Sequence, residues 1–394
     1  MHFSLLLTLF CCLVGSIYSL KVELSARSAI LMNAETGAVL FEKDAYQAAY
    51  PASTTKLATA LFVLDGKGID LRQDICVASE ALRMKPSDTN YDVPYWLETN
   101  GTMMGLRKGE VLPLDALLHG MLMISGNDAA NAIAHFLSGS VTSFMTEMNQ
   151  YLLQLGCKRT NYLNPHGLHH PEHKTTAYDL ALMMQKGLTI PKFRELISKT
   201  SYLRPKSNKS SKAEITTFNQ LLKPGKHYYE KAIGGKTGYH SHSMATLVAA
   251  AHHQGRTLIG VVLGCSKASR YSDMKQLFEA AFREEMMERI LIEEAKVFSH
   301  EIENGEAPLY ANLEKPLAIS YFPSEEPECR AFIHWDAAAL PIKKGQKVGE
   351  VRVIDQKSRL LVKAPLVAKD DLKGTWPFRI KQWIFGNTYT NYQK

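Results

Sequence analysis

The stretch from residue 229 to residue 264 constrains the fold more than any other, because it reads as three consecutive strands. The middle strand is the apolar run MATLVAAA. The turn His253-Gln254-Gly255 follows it, and TLIGVVLG completes the set. Upstream, the turn Asn33–Gly37 separates two apolar runs between Ser28 and Glu42, which predicts a β-hairpin. Helices are expected around these strands. Pro51-Ala52-Ser53 opens one that runs to about Leu64, with the proline in the first turn, where it is tolerated. Pro113 opens another, which breaks at Ser125-Gly126-Asn127, and a third runs from Asp128 to Leu137. Phe144, Met148, Leu152 and Leu155 recur at a helical period, and Ser272 to Ile292 reads as a long amphipathic helix.

The pattern changes after about residue 296. Short alternating runs such as KVGEVRVI and LLVKAPLV lie between turn signals, which predicts a small all-β module of ~80 residues. The last apolar segment is GTWPFRIKQWIFG, with Trp376, Ile380, Trp383 and Ile384 on one helical face. Residues 371–394 carry four Lys/Arg against one Asp. Trp, Phe and cations favour the headgroup zone, so this tail is expected to lie on a membrane surface; packing on the β-module is the other reading.

At the other end, Leu5 to Ile17 is a 13-residue apolar block, with small residues near its end at Ser16 and Ser19. It reads as a secretory signal peptide, too short to span as a transmembrane helix. No Lys or Arg precedes it, which is off pattern, and an uncleaved anchor is the alternative. Cys76, Cys157, Cys265 and Cys329 lie far apart with no CxxC, so no zinc motif is present and buried free thiols are expected.

Composition narrows the function classes. The 394 residues are 45% hydrophobic and 22% charged, which excludes a disordered, collagenous or disulfide-scaffold protein. A mean hydropathy of -0.16 with one outstanding apolar run excludes a multi-span membrane protein. The net charge of +7 is mild, and no run of five basic residues makes a nucleic-acid stripe. It fits an anionic membrane surface or a carboxylate-bearing substrate.

Three short motifs carry chemistry. In Ser53-Thr54-Thr55-Lys56, a helix-start serine and a lysine one turn on share a face, so an unprotonated amine can take the hydroxyl proton. Ser272-Asp273-Met274-Lys275 has the same spacing but reads as a solvated helix face. Ser125-Gly126-Asn127 interrupts two helices and can project a hydroxyl and a carboxamide into a cleft. Lys236-Thr237-Gly238 reads as the end of a strand, offering a positive charge, a carboxylate-binding hydroxyl and room for an extended peptide. Each alone is weak. In the order S-x-x-K, S-x-N, K-T-G they form the set known in penicillin-binding proteins and class A β-lactamases.

The sequence resembles the low-molecular-mass penicillin-binding proteins, the serine D-alanyl-D-alanine carboxypeptidases of peptidase family S11. The resemblance includes Pro51-Ala52-Ser53, SGNDAA (Ser125 to Ala130), Asn164-Pro165-His166-Gly167-Leu168, Thr176-Ala177-Tyr178-Asp179 and VVLG (Val261 to Gly264). It implies an α+β fold: a β-lactamase/penicillin-binding-protein-like antiparallel sheet flanked by helices, with a helical subdomain, followed by a small all-β domain. The expected division is a signal peptide at 1–19, a catalytic domain at 20–295, an all-β stalk at 296–372 and an amphipathic membrane-associating tail at 373–394. The resemblance implies Ser53 as nucleophile, Lys56 as general base and Ser125 as proton relay. Asn127, Lys236, Thr237, Gly238, Tyr239 and Arg270 would bind substrate, with the Ser53 and Tyr239 N–H groups as oxyanion hole.

Implied partners are peptidoglycan stem peptides ending in D-Ala-D-Ala, β-lactams and a membrane surface, with no nucleic acid, no metal and no cofactor. The implied location is periplasmic, on the outer face of the cytoplasmic membrane. Tyr239-His240-Ser241-His242-Ser243 departs from the family, with two imidazoles and no glycine after K-T-G. A D,D-endopeptidase or a weakly hydrolysing cell-wall protein would share the motifs. A β-lactamase is disfavoured by the missing E-x-x-L-N loop, and a metallopeptidase by the missing H-E-x-x-H. His169, His170 and His173 read as loop surface.

Overall fold

The computed structural model describes residues 20–65, 69–86 and 93–385. The expected signal peptide therefore lies outside the described residues, as does the end of the tail. The chain forms two compact units, one of Ser19–Arg283 and one built from Glu284 onward.

In the larger unit the hairpin forms as β1 (Ser28–Asn33) and β2 (Val39–Lys43). Helix α1 (Thr55–Asp65) follows, and a short pair, β3 (Asp74–Cys76) and β4 (Val111–Pro113), leads into α2 (Leu114–Met123). Then come α3 (Asn127–Ser138), α4 (Val141–Gln154), α5 (Ala177–Leu188) and α6 (Pro191–Ser198). A second short pair, β5 (Ser201–Arg204) and β6 (Ala213–Thr216), precedes β7 (Ala232–His240), β8 (Met244–His253) and β9 (Arg256–Cys265). Helix α7 (Ser269–Phe282) closes the unit.

The main sheet has the order β2-β1-β9-β8-β7 and is antiparallel throughout. Both faces are buried. Ile30, Val248, Ile259 and Val261 join the core beneath α1 and α5, whereas Leu31, Leu247, Leu258 and Val262 pack with Met274, Leu277 and Phe278 of α7. Successive strand residues point to opposite faces, so a doubly covered sheet demands the unbroken apolar runs seen in the sequence. β7 is left at the edge, and that edge bounds the candidate site.

The smaller unit begins earlier than composition suggested. The expected helix from Ser272 to Ile292 stops at Phe282, and Met287–Ile292 is instead strand β10. β10 pairs with β13 (Leu317–Tyr321). β11 (Phe298–His300), β12 (Leu309–Leu313), β14 (Cys329–Trp335), β15 (Lys347–Asp355) and β16 (Leu360–Ala368) form a five-stranded antiparallel sheet of order β11-β12-β16-β15-β14. Val348, Val351, Val353 and Leu366 fill its core. Helix α8 (Trp376–Phe385) ends the described chain. No described helix is long and apolar enough to cross a membrane. All four downstream cysteines are free thiols, but only Cys157 and Cys265 are buried; Cys76 is exposed and Cys329 half-buried.

Candidate active site

The site begins with a strained turn. Ala52 has φ +50°, in the left-handed region that costs a residue with a Cβ about 1–2 kcal/mol. Ala52–Thr54 forms one 3₁₀ turn and α1 starts at Thr55. Three hydroxyls hold the turn. Thr54 and Thr246 donate to the Pro51 carbonyl at 2.8 and 2.9 Å, and Thr55 donates to the Ala52 carbonyl at 2.9 Å. Gly167, at φ +91°, lies so close that a Cβ there would sit 1.9 Å from the Ala52 oxygen. The turn leaves Ser53 half-exposed at the helix start, where the peptide dipoles favour negative charge.

Lys56 is fully buried one turn further on. Its Nζ lies 3.1 Å from Ser53 Oγ, 2.7 Å from Asn127 Oδ1 and 2.6 Å from the His166 carbonyl oxygen. Burial, with the charge of Lys236 second, holds this amine well below the usual lysine range; Asp128 opposes the shift. The two oxygens of Asn127 and His166 can only accept. A neutral amine satisfies both with its two N–H groups and turns its lone pair to Ser53 Oγ. Burial therefore favours the uncharged form of an amine that stands beside Ser53 Oγ.

A second Ser–Lys pair faces the first. Ser125 sits at the break between α2 and α3 with φ +64°. Lys236 Nζ donates to Ser125 Oγ at 3.1 Å and to the Thr237 carbonyl at 2.8 Å. Burial, then the Arg270 charge, lowers Lys236 to about 7. Burial thus weakens the positive charge that the sequence reading expects of this lysine. Asp128 anchors the loop opposite. Its carboxylate accepts from the N–H groups of Met104, Gly105 and Leu106 at 2.7, 2.8 and 3.0 Å.

Lys236-Thr237-Gly238 does not end its strand as expected. It lies inside β7, which continues to His240 along the sheet edge. Gly238 is required by close approach, since a Cβ there would meet Thr246 Oγ1 at 2.4 Å and the Ser53 nitrogen at 2.9 Å. Arg270, in the first turn of α7, donates from Nη1 to the Gly238 carbonyl at 3.0 Å and from Nη2 to the Tyr271 hydroxyl at 3.2 Å.

These groups share one open cleft of about 670 Å³. Ser53, Ser125, Thr237, Gly238, Tyr239 and Arg270 line it. Lys56, Asn127 and Lys236 lie buried against these residues, so the structure gathers all nine predicted residues. Asn127 spends its carbonyl oxygen on Lys56, a contact that spacing did not reveal. Sequence reasoning also missed Lys223, Lys226, His227 and Lys267 on the walls, and the three lysines add positive charge. Their only signal is the lysine-rich turn Lys223-Pro224-Gly225-Lys226, which reads as surface loop. Ser272 of the second S-x-x-K is exposed on α7, as expected.

The histidine loop needs correction. His173 is buried, not surface. It accepts from the Leu163 N–H at Nδ1 (3.0 Å), so Nε2 carries the hydrogen and donates to Thr55 Oγ1 at 2.9 Å. Burial keeps it neutral, lowered to about 3. His166 is buried too and held well below its ordinary value, chiefly by burial, with the Lys56 charge second.

Fold and candidate site together describe a class: an antiparallel sheet covered on both faces, with two Ser–Lys pairs gathered at its β7 edge. The chain belongs to the S11 peptidases, the D-alanyl-D-alanine carboxypeptidases, whose family model matches residues 17–267, and it is a hydrolase of that activity. It is 29% identical over 355 residues to D-alanyl-D-alanine carboxypeptidase DacF of Bacillus subtilis, covering 88% of this chain and 86% of that protein. It is 33% identical over 236 residues to DacB2 of Mycobacterium tuberculosis, covering 59% and 73%. Among solved structures, penicillin-binding protein 6B from Escherichia coli aligns with a TM-score of 0.61 and 25% identity, over 88% of this chain and 96% of that one. Penicillin-binding protein 5 from Haemophilus influenzae, at 24% identity, shares the fold over 90% and 99%, with a TM-score of 0.61.

Proposed function

We propose that Ser53 is the nucleophile that removes the terminal D-Ala from peptidoglycan stem peptides and that β-lactams acylate the same oxygen. Lys56 takes the Ser53 proton as Oγ attacks the carbonyl carbon of the penultimate D-Ala. The oxyanion faces the N–H groups of Ser53 and Tyr239. Collapse breaks the C–N bond. Lys236 passes a proton through Ser125 to the leaving amine, which departs as D-Ala. Water then attacks the ester. Its proton returns through Ser125 to Lys236, and Lys56 gives its proton back to Ser53. Thr237, with Lys236 and Arg270 nearby, receives the terminal carboxylate, while Asn127 and Gly238 position the acyl side.

The observation that carries this reading is the Lys56 amine. Burial lowers it well below the usual lysine range, and it stands 3.1 Å from Ser53 Oγ with the Asn127 and His166 oxygens as its other partners. The cationic wall of Lys223, Lys226, Lys267 and Arg270 supports a free carboxylate end over a cross-linked one, and so an exopeptidase over a D,D-endopeptidase. The test is D-Ala release from matched peptides ending in a free carboxylate or in a carboxamide. The free acid reacts at least about tenfold faster, since a charge-assisted pair is worth ~1.5–3 kcal/mol. Equal rates contradict carboxylate selection.

The division into a signal at 1–19, a catalytic domain, an all-β stalk and a tail at 373–394 belongs to the same proposal. The chain is exported, and the tail docks it on the outer face of the cytoplasmic membrane. Trp376 and Trp383, exposed at 73% and 87%, support that role for α8.

A further inference from the structure

Three imidazoles meet beside the nucleophile turn, outside the proton-transfer groups. His169 comes from the loop that follows Gly167, His240 ends β7, and His242 lies in the turn before β8. One ring nitrogen from each lies within 4.8 Å of the other two. The His169 ring stacks on that of His242, with centroids 3.8 Å apart and planes at 2°. His240 Nδ1 and His242 Nδ1 are 3.4 Å apart.

We propose that His169, His240 and His242 bind one divalent transition-metal ion, best matched by zinc, with a fourth position left for water or an anion. Two imidazole nitrogens on a tetrahedral zinc, each at ~2.0–2.1 Å, stand about 3.4 Å apart. That is the separation of the His240 and His242 nitrogens already. His169, whose ring lies flat on that of His242, has to rotate about its side-chain bonds to turn a nitrogen to the ion. His242 is exposed, which gives the ion a path in. The Glu98 carboxylate acts on His240 electrostatically and adds a field that favours a cation. Three imidazoles select zinc, copper or nickel over magnesium or calcium, which prefer oxygen donors.

The position gives the ion a purpose. Tyr50 lies edge-on to His169 with ring centroids 4.6 Å apart, and Ala52, Gly167, His169 and His240 line one small crevice. Gly167 packs on the Ala52 carbonyl, and His240 follows Gly238 and Tyr239 in β7. The ion therefore clamps the loop behind the nucleophile turn to the substrate-binding strand. It takes no step in acyl transfer, and the inference does not depend on the carboxypeptidase reading.

The test uses the full chain, stripped with a chelator and titrated with zinc chloride against a chromophoric competitor. Wild type, His169→Ala and His242→Ala are compared. Acylation by benzylpenicillin in the metal-free state reports that each variant is folded. We expect one tight zinc per wild-type chain and at least about a tenfold loss of affinity in either variant. Zinc also raises the unfolding temperature of wild type more than that of the variants. No tight zinc in wild type, or equal affinity in variants that still acylate, overturns the proposal.

Discussion

At the residue scale the proposed mechanism gives its two lysines different proton loads. Burial lowers Lys56 well below the usual lysine range, which suits the proposed acceptor of the Ser53 proton, and Lys236, lowered to about 7, is the proposed donor. The sign of the pH dependence follows. Below about pH 7 Lys236 is an ammonium and delivers its proton; above it the ammonium is lost, so kcat/KM falls as pH rises through about 7. A bound carboxylate favours the ammonium, so the same limb in kcat moves to higher pH. In Lys236→Arg, which stays protonated, the alkaline limb disappears even if the rate is lower. An unshifted limb in that variant assigns it to another group. At this scale the nine residues were legible because three short motifs and a family pattern mark them. His173, Asp128 and the wall lysines Lys223, Lys226 and Lys267 were not, because their roles come from contacts between distant segments that no local spacing records.

At the element scale the decisive feature is how tightly the nucleophile turn is wedged. Gly167 cannot carry a side chain, since its φ is +91° and the Cβ position lies 1.9 Å from the Ala52 oxygen. Gly167→Ala is expected to cost at least ~2 kcal/mol, lowering the melting temperature by roughly 5 °C and slowing acylation. An unchanged melting temperature with normal acylation contradicts the wedge. The hairpin, the helices through residue 154 and the three apolar strands were readable because one period dominates each. The helix expected to reach Ile292 was not. Met287–Ile292 is rich in helix formers, yet pairing with Leu317–Tyr321 turns it into a strand, so tertiary contact overrides local preference. K-T-G was read as the end of a strand, with Gly238 leaving room for an extended peptide. In the fold that glycine allows the strand to pass the Ser53 nitrogen.

At the scale of the whole molecule, the tail is expected to decide where the enzyme works. The full chain should sediment with vesicles containing anionic lipid, and less so in the Trp376→Ala/Trp383→Ala double variant. Added salt should weaken the binding, because the Lys and Arg of residues 371–394 contribute. Binding that ignores both changes would assign the surface contact elsewhere. This expectation came from the tail's composition and helical pattern and from the family resemblance; Trp376 and Trp383 are exposed.

The most direct test of the central claim is the intact mass of the protein after benzylpenicillin, beside Ser53→Ala, with D-Ala release from a D-Ala-D-Ala peptide followed in the same samples. The account predicts one penicilloyl adduct and D-Ala release in wild type, both lost in the variant. An adduct that persists in Ser53→Ala, or none in wild type, would contradict Ser53 as the nucleophile. An adduct without D-Ala release would contradict the carboxypeptidase.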